Sequence, residues 1–327
     1  MMDCTDRHFR YFARLLSRRA RLYTEMITAS ALTHGNPARL LQHDAFEYPL
    51  ALQIGGSDPS QLAAAARTGE AAGYCEINLN VGCPSERVQS GRFGACLIAE
   101  PGLVAECVAA MAEAVAVPVT IKTRLGVDEC DSYEHLCALV AGVAQAGCSV
   151  ILLHARKAIL GLDTRDNRRI PPLDYGRVRR IKEDFPHLTI VLNGGLLSLE
   201  SAALELPLVD GVMLGRAAYE SPWLLAGVDT TLFGAAPAFT ERADAVRAFL
   251  PYLLEEMDRG TAARHVTRHL MGLFAGQAGA REWRRALSED VPRSARPDAL
   301  LLAVLDQAAE GGSASRRPAD FMRQSTR

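Results

Sequence analysis

The feature that most constrains this chain is an alternation of short apolar runs with helical stretches, sustained from Arg21 to Arg216. Runs rich in Ile, Val and Leu predict strands at 21–26, 49–54, 75–79, 118–122, 150–153, 188–192 and 211–214. Helices are expected between them: near Ser30, from Asp58 with Pro59 in the first turn, at 102–115, 131–146 and 175–184, and from Ser198. A further helix precedes the first strand, capped by Thr5 and carrying the apolar stripe Phe9, Phe12, Leu15 and Leu16. Strands alternating with helices imply a parallel sheet and an α/β fold. Eight such units close a (β/α)8 TIM barrel, and an open doubly wound sheet is the alternative. Polar residues recur at strand ends along the whole chain rather than at one switch point, which favours the barrel. The count is one strand short, because the chain opens on the helix side of its first unit.

After Gly227 the strands stop. Helical stretches at 238–258, 262–274, 279–287 and 298–307 predict a small α-helical domain. The expected division is a barrel at 1–228, helices at 238–310 and a Ser/Arg-rich disordered tail at 311–327. A net charge of −2 argues neither for nor against nucleic acid. Of the 36 basic residues only Lys122, Lys157 and Lys182 are lysines, so arginine abundance looks like genome bias and says little. No apolar run approaches a membrane span and no signal peptide precedes the first helix. The eight cysteines show no CxxC pair and no metal-ligand spacing, which predicts reduced thiols, no metal and a cytoplasmic protein. Nothing suggests more than a monomer.

The stretch Glu76-Ile77-Asn78-Leu79-Asn80-Val81-Gly82-Cys83-Pro84-Ser85 ends a strand in a Gly- and Pro-punctuated loop. In a β/α barrel that is the face where chemistry happens. Most free cysteines are small buried hydrophobes, and the other seven are read so. Cys83, at a strand end, reads as an acid or nucleophile. Lys122 follows an apolar strand and is as readily a solvated strand-end charge as a functional one. His154 ends the next strand, which shifts the usual structural expectation for a lone histidine. Gln53 offers both a donor and an acceptor to a planar heterocycle, or serves as a loop amide. Asn193-Gly194-Gly195 and Gly215-Arg216 follow the last two strands, where β/α barrels bind phosphate on bare backbone N–H groups. Together these groups suggest a planar cofactor with a phosphate tail. FMN fits better than a dinucleotide, since no GxGxxG follows the first strand. On composition alone the arginines of 165–169 and of the helical region read as a solvated face.

These motifs closely resemble the tRNA-dihydrouridine synthases, and within them the A subfamily. The resemblance rests on Thr24-Glu25-Met26, on Ala51-Leu52-Gln53-Ile54-Gly55-Gly56, and on the loop at Cys83. It continues through Arg87-Val88-Gln89, 91–97, Ile121-Lys122-Thr123-Arg124, His154-Ala155-Arg156-Lys157, Asn193-Gly194-Gly195, 211–216 and 279–285, covering residues 1 to 290. It implies a barrel with FMN in its mouth, a helical domain that grips tRNA, and NADPH as reductant. The reaction implied is reduction of uridine in the D-loop, at positions 20 and 20a. By motif, Cys83 is the proton donor, and Gln53, Lys122, His154, Asn193, Gly194, Gly195, Gly215 and Arg216 contact FMN. Asn80, Arg165, Arg168, Arg281 and Arg284 are the implied tRNA contacts. Reduced flavin gives hydride to C6 of the uracil, and a thiol on the opposite face protonates C5. Cys83 is therefore expected to rest protonated, Lys122 to favour the anionic reduced flavin, and the base to swing out of the tRNA elbow.

One departure stands out. The family begins with a strand ending in Ala-Pro-Met, of which only Met1 and Met2 remain here, with Met1 at the flavin-facing end. Either the true start lies upstream or the gene product is truncated, and an open seam predicts weak FMN retention and poor solubility. Cooperative unfolding with stoichiometric FMN counts against that. Two rivals are weighed: an FMN barrel acting on a free pyrimidine, such as a dihydroorotate dehydrogenase, and an RNA-binding protein that no longer catalyses. The helical region with Trp283-Arg284-Arg285 argues against the first, and the complete set Cys83, Lys122 and His154 against the second.

Overall fold

A computed structural model describes the backbone of residues 1–314 and the side chains to Asp306. Among them, seven strands run parallel in one curled sheet: β1 (Leu22–Thr28), β2 (Leu50–Gly55), β3 (Glu76–Val81), β4 (Val119–Arg124), β5 (Val150–His154), β6 (Thr189–Asn193) and β7 (Gly211–Met213). Their spatial order follows the chain from β1 to β7. A doubly wound sheet must reverse its order at a switch point. A monotonic order instead winds every crossover the same way, as in a β/α barrel. β1 and β7 are the edges, and the Met1 sulfur lies 3.3 Å from where a Cβ on Gly215, just past β7, would stand.

Strands β3 to β6 present buried aliphatic side chains to the surrounding helices. Ile77, Leu79 and Val81 of β3, Ile121 of β4, Ile151 and Leu153 of β5, and Ile190 and Leu192 of β6 are fully buried. Each such side chain contributes about 1.5–3 kcal/mol by leaving water. The covering helices start where capping chemistry is best. Asp58 accepts from the Gln61 N–H at 2.9 Å to start Pro59–Ala71, and Ser132 accepts from the His135 N–H at 3.0 Å to start Tyr133–Gln145. The first helix, Arg7–Leu16, is capped by Asp6 rather than by Thr5. Asp6 takes the N–H groups of His8 and Phe9, both at 3.0 Å, while Thr5 receives the Met1 amino group at 2.8 Å. A charged carboxylate outcompetes a hydroxyl at the positive end of a helix.

The other face of β2, β3 and β4 points inward and is polar. Glu76, Asn78 and Asn80 alternate with the aliphatic row, and register pairs Asn78 with Gln53 on one side and Thr120 on the other. Farther along, Arg124, His154, Asn193 and Met213 form one row across β4 to β7. That row lies at the C-terminal ends of the strands.

Helices alone follow β7 among the described residues, including Arg242–Asp258, Ala280–Arg285 and Pro297–Ala314. The expected tail begins inside the last of these, which runs to Ala314; residues 315–327 lie outside the described ones. Arg242–Asp258 packs on the first helix through an edge-to-face pair, Phe12 with Phe249, and a stacked pair, Tyr11 with Tyr252 at 3.9 Å. Arg7 donates to both Glu256 carboxylate oxygens from its two terminal guanidinium nitrogens. One hydrophobic cluster extends from Phe9 to Leu305, so the sheet and the C-terminal helices share a core.

Candidate active site

Cys83 stands two residues beyond β3, half-buried, in a loop held from several sides. Asn80, the fifth residue of β3, accepts from the N–H of Gly82 at 3.1 Å and of Cys83 at 3.0 Å. The Cys83 carbonyl accepts from the Ala95 N–H at 2.9 Å, which folds the loop 91–96 back against it. Gly94 makes this turn at φ 69°, and a Cβ there would meet the Cys83 carbonyl oxygen at 2.6 Å. From β4, the buried Arg124 donates to the carbonyls of Gly82 at 2.9 Å, Lys157 at 3.0 Å and Asn167 at 3.1 Å. One guanidinium thus ties the Cys83 loop to the loop after β5.

Across the mouth, Lys122 donates to Asn193 Oδ1 at 3.0 Å, and Asn193 Nδ2 donates to the Met213 backbone carbonyl at 2.8 Å. Burial, with help from Arg124, lowers the Lys122 ammonium from 10.5 to about 8. His154 is pushed well below its ordinary value by burial and by the positive charges of Lys122, Arg124, Arg156 and Arg216, so it is neutral at pH 7. Its ring lies against Gly194, where a Cβ would stand 2.5 Å from His154 Cδ2. Gly194 at φ 108° and Gly195 at φ 71° are left-handed, and Tyr175 fixes the turn by donating to the Gly194 carbonyl at 2.6 Å. Gly215 precedes the short helix Arg216–Glu220, and Arg216 is exposed. Met1 lies at the same end: its amino group donates to Thr5 and stands near Glu25 and Lys122.

The structure therefore gathers Cys83, Lys122, His154, Asn193, Gly194, Gly195, Gly215 and Met1 at one end of the sheet, with Gln53 just below. Gln53 is buried and its amide is held by Asn78 and Asn80, each at 2.8 Å. Asn80, expected to contact RNA, uses its amide on Gln53 and on the Cys83 loop. Arg165 is exposed beside the turn Asp166–Arg168, while Arg168 is half-buried with its Nε unpartnered. Arg281 and Arg284 project from Ala280–Arg285, whose Trp283 is buried and donates to the Leu270 carbonyl at 2.8 Å. Arg284 lines a cavity of about 270 Å³ together with Tyr219 and Glu220, on the helix that carries Arg216. Sequence reasoning missed Arg124 and Tyr175. Arg124 shares strand parity with Lys122, which was the available signal.

Four cations, Lys122, Arg124, Arg156 and Arg216, bear on His154, and none of its largest electrostatic influences is acidic. Such a basin suits an anion. A phosphorylated planar cofactor matches that charge, the glycine-lined backbone and the amide of Gln53. Among the described residues, no group of three or more His, Cys, Asp or Glu side chains could hold a metal ion, and no helix is long and apolar enough to cross a membrane. All eight cysteines are free thiols.

The chain that carries this strand-end thiol and cationic basin on a curled parallel β/α sheet belongs to a known family. It is a member of the dihydrouridine synthases: the family model "Dihydrouridine synthase (Dus)" matches residues 1–309. It is 54% identical over 292 residues to the tRNA-dihydrouridine(20/20a) synthase of Vibrio cholerae serotype O1, covering 89% of each chain. The protein of the same name from Salmonella typhi is 54% identical over 303 residues, 92% of this chain and 91% of the relative. That of Escherichia coli strain K12 is 53% identical over 296 residues, 90% and 86% respectively.

Proposed function

We propose that this chain is an FMN-dependent oxidoreductase that reduces uridine to 5,6-dihydrouridine in the D-loop of tRNA, at positions 20 and 20a, with NADPH as reductant. The observation that carries the proposal is the Cys83 thiol, whose own N–H is held by Asn80 and which lies close enough to the Lys122 and Arg124 cations to act on both. FMN would be held by Gln53, Lys122, His154, Asn193, Gly194, Gly195, Gly215, Arg216 and Met1, and when bound and reduced it supplies hydride for C6 of the uracil.

The chain's own residues do the rest. Cys83 holds a proton at Sγ and delivers it to C5 as negative charge develops there. Lys122 opposes that charge through a poorly solvated ammonium. His154, kept neutral, offers one N–H and one lone pair rather than a further cation. Arg124 and Asn80 keep Cys83 in place from opposite sides of its loop. Asn80 acts on the RNA through that loop, while Arg165, Arg168, Arg281 and Arg284 take phosphates. The barrel, 1–228, is the catalytic domain and the helices at 238–310 hold tRNA. A monomer acting in the cytoplasm suffices.

The test is to load the full chain with FMN and assay it with NADPH and unmodified tRNA, reading the gain of two hydrogens in D-loop fragments by mass spectrometry. Cys83→Ala is expected to slow dihydrouridine formation by about 10²–10⁴-fold with FMN and tRNA affinity unchanged. Reduction of a free pyrimidine in preference to tRNA would overturn the substrate. Tight tRNA binding without flavin uptake would overturn the enzymatic reading.

A further inference from the structure

Five buried polar side chains form one hydrogen-bonded line inside the barrel, running from the Cys83 loop toward the N-terminal ends of the strands. The N–H groups of Gly82 and Cys83 donate to Asn80 Oδ1. Asn80 Nδ2 donates to Gln53 Oε1 at 2.8 Å, and Gln53 Nε2 donates to Asn78 Oδ1 at 2.8 Å. Asn78 Nδ2 donates to the Thr120 hydroxyl at 2.8 Å, and Thr120 donates to Glu76 Oε1 at 2.6 Å. Tyr23 donates to the same oxygen at 3.0 Å, and Arg21 binds the other. Glu76 opens β3 and Asn80 is four residues on, so the line descends roughly 13 Å into the barrel.

An amide can ordinarily be turned either way in such a network. Here both ends are fixed. Backbone N–H groups can only donate, which turns Asn80 Oδ1 toward the loop. An ionised carboxylate can only accept, which makes Thr120 donate to Glu76 and accept from Asn78. Between them every amide has one orientation, because turning any one sets oxygen against oxygen and NH2 against NH2. In a buried site neither clash is relieved by water.

We propose that Glu76 and Thr120 are positioning residues for the reacting thiol: the acceptor oxygen of Glu76 anchors the line that holds Gln53 and the Cys83 loop. The idea rests on the reading of Cys83 as the reacting group. It also assigns Gln53 a fixed polarity, with one N–H committed to Asn78 and its carbonyl to Asn80. The loop N–H groups alone would set the same polarity, so losing the Thr120 hydroxyl turns no amide; it leaves Asn78 Nδ2 buried without an acceptor, and that unmet donor is relieved by loosening the line up to Asn80 and its hold on the loop.

The test is residue-resolved amide exchange on the full chain, with and without FMN, independent of turnover. Thr120→Val has nearly the same shape but no hydroxyl. It is expected to speed exchange of the Gly82 and Cys83 amides at least tenfold while leaving the β5 and β6 ladder amides within twofold of wild type. Glu76→Leu is expected to do the same. Thr120→Ser restores the hydroxyl and should match wild type within twofold. Protected Gly82 and Cys83 amides in both Thr120→Val and Glu76→Leu overturn the proposal, as does a uniform rise across the barrel. If wild type makes no dihydrouridine while the exchange pattern holds, the catalytic reading fails and the line stands.

Discussion

Lys122→Met offers a sharp test of the site's electrostatics, because it trades activity for stability. Burial lowers the Lys122 ammonium from 10.5 to about 8, so the flavin-free fold disfavours its charged form by about 3 kcal/mol at pH 7. Losing the bond to Asn193 returns about 1–1.5 kcal/mol. The methionine variant should therefore be more stable than wild type by about 2 kcal/mol at pH 7. The sign of the pH dependence follows from linkage. In the unfolded chain the lysine keeps its proton until about 10.4. Below pH 8 wild type bears the full cost, and the cost fades as pH rises from 8 toward 10.5. At pH 9.5 it has fallen to about 1.4 kcal/mol, so the two proteins should be nearly equal. Urea unfolding of flavin-free protein at both pH values measures the gap. FMN should then stabilise wild type more than the variant, since its negative charge offsets the buried ammonium. A variant less stable than wild type at pH 7, or a gap that ignores pH, would refute the claim that Lys122 is a desolvated cation awaiting an anion.

Gly194→Ala places a methyl 2.5 Å from His154 Cδ2 at a left-handed φ of 108°, so the turn or the imidazole must move. It should cost about 1–3 kcal/mol of stability and weaken FMN binding, read by flavin fluorescence titration; unchanged FMN affinity would remove Gly194 from the cofactor site. Arg281→Ala and Arg284→Ala should each weaken tRNA binding at every sequence alike and reduce the salt slope by about 1, measured by filter binding across ionic strengths. A lowered affinity with an unchanged slope would mean the arginines shape the helix rather than touch phosphate.

Seven strands were legible because aliphatic runs between polar ends mark strands locally, and all seven lie within two residues of their expected bounds. The Thr5 and Asp6 exchange shows the limit of that reading. Both are good caps one residue apart, and only the path of Met1 against Thr5 decides between them. Arg124 was visible as part of a motif but silent as to role, since its three carbonyl partners lie on two other loops. Asn80 is expected at the RNA from its motif alone, and only packing shows its amide nitrogen on Gln53 and its oxygen on the Cys83 loop.

What the residues alone determined was everything that repeats along the chain: a parallel α/β sheet, the strand ends where polar groups collect, Cys83 in a Gly-Pro loop, and glycines where backbone must approach closely. Those follow from propensity and period, which act over a few residues. What only tertiary structure decided was everything that depends on register between strands. Thr120 lies 44 positions from Glu76, and parallel pairing of β3 with β4, which sets Thr120 beside Asn78, brings it diagonally within 2.6 Å of the Glu76 carboxylate. The same pairing, repeated to β7, puts four cations around His154 and makes an ordinary lysine a weak base. Burial and charge proximity are sums over neighbours in space, so the chemistry of the site is written only once the sheet has curled.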